Sequence, residues 1–173
     1  MKKTLILTCL AALTIAMLSS CNNKNAKTGD AENNTNEAEW VDLGLPSGTK
    51  WNSVNENGYY TYDEAKKKFG ENVPSKINWW ELECCEWTWT GDGYKVVGPN
   101  GNSIFLPTDG IRSCNGSVIM KAENGPMGSY WSSTLNDNDS RNAEIWIIDS
   151  TMHGQAGNPR CIGASVRLVQ VSK

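Results

Sequence analysis

Alternation of apolar and polar residues predicts a domain made mainly of short β-strands. Trp87 and Trp89 alternate with Thr88 and Thr90, which places both indoles on one face of a strand. The other segments with strand-like patterns are Trp40–Leu43, Lys50–Val54, Tyr94–Val97, Ser103–Leu106, Tyr130–Ser133, Ala143–Asp149 and Ala164–Val169. The polar run Asn136–Asp139 predicts a hairpin tip, and residues 107–128, with few apolar positions, predict a long surface loop.

Two segments predict helices instead. Thr61 and Glu64 have the spacing of a capping box, so we expect a helix over Tyr62–Phe69. A second helix is expected to follow Ser75, a plausible N-cap, and to reach about Cys85. Two short helices combined with several antiparallel strands predict an α+β fold.

The first 20 residues have the organisation of an export signal. Lys2 and Lys3 precede an apolar run, Leu5–Leu18, that is shorter than the ~20 residues of a transmembrane helix. The run leads to Leu-Ser-Ser-Cys at Cys21, which resembles the lipobox of bacterial lipoprotein signal peptides. That resemblance implies cleavage before Cys21 and lipid attachment to its sulfur, with a plain secretory signal as the alternative. Asn22 replaces the aspartate that commonly retains such proteins in the inner membrane, which favours the outer membrane, on either face.

Composition separates a tether from a folded domain. Residues 21–38 contain no apolar cluster and are predicted to form a lipidated, disordered tether. Residues 39–173 are enough for one folded domain. The chain has a formal net charge of -3 and no basic run, which argues against nucleic acid as a partner. Because the chain has no basic run that could bind anionic lipid, we expect the lipid anchor to be its contact with the membrane.

Several motifs match a known family in that family's order along the chain. They are EWVDLGLPSGTKW, PSKINWWEL, CEWTWT, GNSIFLP, GSYWSST and GASVRLV. Residues 39–169 thereby resemble the Fibrobacter succinogenes major paralogous domain, which is common in lipoproteins of gut anaerobes. The resemblance implies a C-type-lectin-like fold with two short helices and irregular antiparallel sheets. It also implies a remote similarity to formylglycine-generating enzymes, although the family has no settled activity.

The chain departs from the family pattern at several positions. Asn72 and Asn78 replace an arginine and an acidic residue, and Val54 replaces a frequent cysteine. Leu168 replaces the proline that usually follows Arg167. The insertion that precedes the first helix in relatives is short here, so a binding loop carried by that insertion would be absent.

The chain has eight tryptophans, which are expected to build most of the core. Each can bury roughly 150–250 Å². Trp79 and Leu82, one helical turn apart, are expected to face the core.

Trp80 lies on the outer side of the same helix, where the family usually has a polar residue. We predict that Trp80 is partly exposed and is the best contact residue, with coverage of an adjacent loop as the alternative. The tryptophans predicted to pack rather than bind are Trp87, Trp89, Trp131 and Trp146.

The domain contains four cysteines: Cys84, Cys85, Cys114 and Cys161. Cys84 and Cys85 lack the spacing of a redox Cys-x-x-Cys pair, and a single histidine leaves too few ligands for zinc, so no metal site is predicted from them. Cys85 matches the helix-end cysteine of the family and fits a buried thiol. An exported domain can still form disulfides. The four thiols allow three full connectivities; a single bridge, Cys114–Cys161, is a candidate, with free thiols as the alternative.

The sequence favours a non-catalytic binding or interaction module without a cofactor. Polar loops on a stiff scaffold suit a glycan, and an envelope protein is nearly as good an alternative. The candidate contact residues are Trp80, Asn136, Asp137, Asn138 and Asp139. The polar run also offers oxygen ligands for calcium, although its spacing is not that of an EF-hand and it is ordinary turn chemistry.

Three further hypotheses follow from the sequence. One is a structural or adhesin role in the cell envelope. Another is an enzyme: the remote similarity to formylglycine-generating enzymes would require a reactive cysteine, and Cys161 is the candidate, without a recognisable partner. The third is modification, because Asp149-Ser150-Thr151 resembles a short O-glycosylation motif of exported proteins. Ser150 is then the candidate acceptor, with an ordinary strand end as the alternative.

Overall fold

The computed structural model of the chain describes residues 38–171. The predicted signal peptide (1–20), the predicted lipid-attachment residue Cys21 and most of the predicted tether (21–38) lie outside the described residues, as do the last two residues of the predicted domain (39–173). Across 38–171, no helix combines the length and the apolar character needed to cross a membrane.

Two short α-helices and a set of mostly short strands make up the described residues, so the predicted α+β class is confirmed. The helices are α1 (Tyr62–Phe69) and α2 (Lys76–Leu82), with a 3₁₀ turn at Gly70–Asn72. The strands are β1 (Trp40–Asp42), β2 (Lys50–Asn52), β3 (Glu86–Trp89), β4 (Gly93–Val97), β5 (Ser103–Pro107), β6 (Ile111–Arg112), β7 (Val118–Ile119), β8 (Lys121–Ala122), β9 (Gly125–Leu135), β10 (Asn142–Asp149), β11 (His153–Pro159) and β12 (Val169–Gln170).

The strands pair into small antiparallel sheets. The largest has the order β11-β10-β9-β8, and its central pair, β9 and β10, forms a long hairpin. Two three-stranded sheets have the orders β1-β2-β12 and β3-β4-β5, and β6 pairs with β7. The tip of the β9–β10 hairpin holds the Asn136–Asp139 run, as the turn chemistry predicts.

Side-chain caps explain why both helices start where they do. The Thr61 hydroxyl accepts the N–H of Glu64, and the Glu64 carboxylate accepts the N–H of Thr61 at 2.8 Å, which is the predicted capping box. Ser75 caps α2 in the same way, with Asn78 in the place of the usual acid: Asn78 Oδ1 accepts the N–H of Ser75 at 2.9 Å. Both first helical turns are therefore determined locally.

The structure corrects three of the predicted elements. Helix α2 ends at Leu82 rather than near Cys85, because the N–H of Cys85 bonds to the carbonyl of Leu82 in a tightened turn and β3 begins at Glu86. Residues 107–128 are not one loop, since they contain β6, β7, β8 and the start of β9. Within Ala164–Val169, Ala164 and Ser165 make isolated bridges, and only Val169 belongs to a strand.

Strand β11 is missing from the sequence prediction. Its sequence, HGQAGNP, is rich in glycine and polar residues and has no apolar alternation. It pairs with β10 from Ile148↔His153 to Asn142↔Pro159. Most apolar residues of this hairpin lie on β10, and β11 joins the sheet edge through its backbone groups, which need no apolar alternation.

Tryptophan side chains form the centre of the core. Trp51, Trp79, Trp131 and Trp146 are fully buried, as is Leu82. Trp79 stacks on Trp146 with ring centroids 5.4 Å apart, and Trp51 meets Trp79 edge-on at 4.9 Å. The half-buried pair on β3, Trp87 and Trp89, packs against the same cluster, which agrees with the packing predicted for them.

A buried arginine joins three distant segments. Arg167 is 1% exposed, and its Nε donates to Oδ1 of Asn55 at 2.7 Å. Its two terminal nitrogens donate to the carbonyls of Asn52 at 2.9 Å and Phe105 at 2.7 Å. Burial lowers the pKa of Arg167 to about 10, so the guanidinium stays charged at neutral pH. These bonds fix the C-terminal segment against β2 and β5.

Candidate functional site: the Trp80 surface

The predicted contact residues come together on one face of the domain. Trp80, on α2, is 48% exposed, which agrees with its expected exposure. One turn earlier, Lys76 places its Nζ 5.5 Å from the centroid of the Trp80 ring. The same Nζ lies 2.7 Å from Oδ2 of Asp137 at the hairpin tip. The structure thus joins the helix tryptophan to the polar run that lies more than 50 residues later.

A chain of side-chain hydrogen bonds holds this face in place. Trp80 Nε1 donates to Oε1 of Gln155 at 3.0 Å. Gln155 Nε2 donates to Oε2 of Glu144 at 2.8 Å, and Asn136 Nδ2 donates to Oε1 of the same carboxylate at 2.9 Å. Lys76, Trp80, Asn136, Asp137, Glu144 and Gln155 are called the Trp80 surface below.

Glu144 is the hub of this surface. Its side chain is buried, and a buried carboxylate is costly unless both of its oxygens are hydrogen-bonded, as they are here. It lies where the β9–β10 register shifts, between Ala143 and Ile145. Opposite it is Gly157, where an added Cβ would lie 3.0 Å from Nδ2 of Asn136. The irregular register and the missing side chain together leave room for the amide to reach the carboxylate.

A polar depression of about 420 Å³ opens beside these groups, within the ~300–1,000 Å³ typical of small-molecule sites. Its lining is Asn136, Asp137, Asn138, Glu144, Gln155, Ala156 and Gly157. Amides and carboxylates dominate this lining; the amides donate and accept hydrogen bonds, and the carboxylates accept them. Such a surface suits a ligand that is rich in hydroxyl groups.

The oxygens of the hairpin tip are engaged within the protein. Asp139 forms an ion pair with Arg141 at 2.8 Å, and hydrogen bonds from this arginine hold the pKa of Asp139 below its ordinary value. Asn136 Oδ1 accepts the N–H groups of Asn138 and Asp139. Among residues 38–171, no group of three or more His, Cys, Asp and Glu side chains is placed to hold a metal ion. Calcium at the tip is only an alternative to the expected absence of a cofactor, and the structure does not test it.

The cysteines divide into one disulfide and two free thiols. Cys114 and Cys161 are bonded to each other, which is the candidate bridge named from the sequence. Cys161 therefore has no free thiol in this structure, which leaves the enzyme hypothesis without its nucleophile. Cys84 is exposed and Cys85 is half-buried. Burial, followed by the neighbouring Cys84, raises the pKa of Cys85 to about 11, which makes it a weak nucleophile at neutral pH.

The single histidine is half-buried and packs against the aromatic residues of β3 and β4. The ring of His153 stacks on Trp87 with centroids 4.1 Å apart, and its Nδ1 lies 2.8 Å from Oε2 of Glu83. The other oxygen of Glu83 accepts the Nε1–H of Trp146 at 2.5 Å. This environment explains the position of His153 as part of the packing between β3, β11 and the end of α2.

The predicted modification residue lies outside the Trp80 surface. Ser150 is exposed in the turn between β10 and β11, and its hydroxyl donates to the carbonyl of Asn124 at 2.7 Å. O-glycosylation of Ser150 stays a prediction.

Sequence reasoning missed three members of the Trp80 surface: Lys76, Glu144 and Gln155. Only Glu144 could have been recognised from the sequence, because it is a lone acidic residue inside an apolar strand. Gln155 lies in the unpredicted strand β11, and Lys76 is an ordinary first-turn helix residue. Their roles depend on partners that are distant in the sequence.

Comparison of the chain with protein-family models, with curated proteins and with solved structures found no match. The resemblance to the Fibrobacter succinogenes major paralogous domain therefore stays a prediction from sequence motifs.

Proposed function

We propose that this protein is a non-catalytic, glycan-binding module of a cell-envelope lipoprotein, and that the Trp80 surface is its binding site. The observation that supports this most is the half-exposed indole of Trp80, which is hydrogen-bonded to Gln155, a residue that lines the polar depression. The C-type-lectin-like fold, lipid attachment at Cys21 and outer-membrane location belong to the same proposal.

The chemistry of the surface matches that of a sugar. A sugar ring presents C–H groups, which pack on an indole face, and hydroxyl groups, which exchange hydrogen bonds with amides and carboxylates. At the Trp80 surface, the buried Glu144 carboxylate orients the side-chain amides of Asn136 and Gln155 before a ligand arrives. Such preorganisation lowers the ordering cost of binding.

A screen of the purified protein against a glycan array and envelope polysaccharides tests the proposal. Trp80→Ala should weaken binding to the retained glycan by at least about tenfold, since stacking on one aromatic ring contributes of the order of a kcal/mol or more. Trp40→Ala is the matched control, because Trp40 is also exposed but lies on β1, outside the surface. Its binding should be unchanged.

A second variant tests the preorganised network. Glu144→Gln keeps the shape of the side chain but replaces one acceptor oxygen with a donor, so it cannot accept from both Asn136 and Gln155. Glycan binding should fall together with the stability of the β9–β10 hairpin. Glycan binding that survives both Trp80→Ala and Glu144→Gln would refute this site. Selective capture of one envelope protein through Trp80, with no glycan bound, would favour the protein-binding alternative.

A further inference from the structure

We propose that a second pocket, beside α1, binds a small ring-shaped molecule that carries a carboxylate, such as an acidic monosaccharide. The pocket has a volume of about 510 Å³ and is lined by Tyr59, Tyr60, Glu64, Lys67, Lys68 and Arg112. It is called the Arg112 pocket below. It shares no residue with the Trp80 surface, so the proposal does not depend on glycan binding there.

The charges of the Arg112 pocket favour an anion. Three of its residues are cationic (Lys67, Lys68 and Arg112), and Glu64 is its one acid, which leaves an excess of two positive charges. The whole chain carries a formal net charge of -3, so this local excess runs against the protein's overall sign. An anionic ligand would be attracted to this pocket more than to the rest of the surface.

Arg112 has hydrogen-bonding capacity that the protein does not use. Its side chain is only 35% exposed, and its nearest acidic group, Oε2 of Glu64, is 3.9 Å from its Nη2, beyond hydrogen-bonding distance. Within the described chain, its guanidinium donates no hydrogen bond, whereas the guanidinium of Arg167 donates three. A planar guanidinium with free N–H groups matches the two oxygens of a carboxylate.

The backbone around Arg112 holds the side chain in place. The N–H of Arg112 donates to the carbonyl of Gly163 at 2.8 Å, and the reverse bond is 2.7 Å long. A Cβ added at Gly163 would lie 2.7 Å from Nε of Arg112 and 3.0 Å from Cβ of Tyr59. Glycine is therefore required for the arginine to lie where it does. The Cys114–Cys161 disulfide joins the same two segments, two residues from each partner of this bridge.

Aromatic rings form the less polar walls of the pocket. The Tyr60 ring meets Phe69 edge-on at 5.2 Å, and Lys68 donates to the Tyr60 hydroxyl at 2.9 Å. The Tyr59 hydroxyl donates to the carbonyl of Asp109. Both tyrosines are thus fixed by their hydroxyl ends, which leaves ring surface to contact the carbon skeleton of a ligand.

One cation of the Arg112 pocket has no partner among the described residues. Lys67 is exposed and makes no hydrogen bond or ion pair there, unlike its neighbour Lys68. Arg112 would take the carboxylate bidentately, and Lys67 would add a second, flexible cation at the mouth. The tyrosine walls favour a ring over a small inorganic anion.

Calorimetric titration of the purified full-length protein at low salt tests the proposal with three probes. Glucuronate carries both the ring and the carboxylate, glucose is the neutral ring, and acetate is the carboxylate without the ring. Glucuronate should bind at least about tenfold more tightly than either control, and added salt should weaken it. Arg112→Gln should weaken the binding of glucuronate about tenfold or more. Arg112→Lys should have an intermediate effect, because it keeps the positive charge but loses the planar guanidinium that binds both carboxylate oxygens.

Two control variants distinguish a loss of the binding site from a loss of the folded structure. Lys67→Gln changes an exposed side chain at the pocket and should weaken glucuronate binding a few-fold, whereas Lys95→Gln, exposed on β4, should leave it unchanged. Reduction of the disulfide and the Gly163→Ala substitution should both weaken the binding of glucuronate.

Equal binding of glucose and glucuronate, or no effect of either Arg112→Gln or Lys67→Gln on glucuronate binding, would overturn the proposal. If acetate bound as tightly as glucuronate, recognition of the ring would be overturned. If the Trp80→Ala variant no longer bound glucuronate, the anion would bind at the Trp80 surface instead.

Discussion

The indole N–H of Trp80 donates to Oε1 of Gln155 at 3.0 Å, across 75 positions of sequence. This bond fastens the exposed side of α2 to the edge strand β11. Its neighbour Trp79 points the opposite way and is fully buried against Trp146. Two adjacent tryptophans therefore have separate roles: one belongs to the core, and the other belongs to the surface that we propose as the binding site.

This division predicts opposite results for two adjacent substitutions. Trp79→Ala should lower the free energy of unfolding by about 3–5 kcal/mol, because it empties a fully buried indole site. Trp80→Ala should change it by less than about 1 kcal/mol, since its side chain is half-exposed and its one hydrogen bond is at the surface. Urea denaturation followed by circular dichroism measures both. A large loss of stability in Trp80→Ala would instead support a covering role for this residue.

The buried arginine gives a second contrast. Arg167→Ala should destabilise the domain by roughly 3–5 kcal/mol, because two backbone carbonyls and the Asn55 amide lose their donors in the interior. Arg141 is the matched control: its side chain is 88% exposed, and it pairs only with Asp139. Arg141→Ala should leave stability nearly unchanged, because an ion pair in solvent contributes little. Thermal unfolding of the two variants distinguishes them, and similar midpoints would contradict the interior role of Arg167.

Asp149 predicts a pH dependence of stability. Burial alone would raise its pKa, but hydrogen bonds from the Thr151 hydroxyl, the Thr151 N–H and the Met152 N–H outweigh burial and lower the pKa below its ordinary 3.8. A lowered folded-state pKa means that the ionised carboxylate stabilises the fold above the unfolded-state value. This contribution is lost as the pH falls through the folded-state pKa.

The Asp149→Asn variant tests this dependence. It should be less stable than the parent at pH 6 to 7, and the difference should shrink steadily as the pH falls below about 4. Denaturation midpoints measured across pH 2 to 7 give the comparison. Glu123→Gln, which removes an exposed carboxylate, is the control for a general charge effect. A stability gap that stays constant down to pH 2 would contradict the ionised role of Asp149.

Thiol labelling should sort the four domain cysteines into three classes. In the folded, unreduced protein at pH 8, Cys84 should react first, because it is exposed. Cys85 should react slowly, since a pKa of about 11 leaves on the order of one thiolate in a thousand at that pH. Cys114 and Cys161 should react only after reduction. Peptide mass spectrometry reads each site, and rapid labelling of Cys161 without reductant would revive the enzyme hypothesis.

Much of the local structure follows from short sequence patterns. The start of α1 needs only Thr61 and Glu64, which satisfy each other's backbone groups within one turn. The start of α2 at Ser75 and the burial of Trp79 and Leu82 follow in the same way from capping and helical spacing. These features depend on neighbours within four residues, so the sequence determines them without knowledge of the rest of the fold.

Tertiary structure alone decides the remainder, because it depends on which distant segments meet. Strand β11 carries no apolar alternation and forms only because β10 offers it an edge. Glu144 becomes the centre of a binding surface only when pairing brings Asn136 and Gln155 to its two oxygens. Arg112 similarly depends on a glycine 51 positions away that leaves it room. Hydrogen bonds between polar side chains leave no periodic trace along the chain, whereas burial of apolar side chains does.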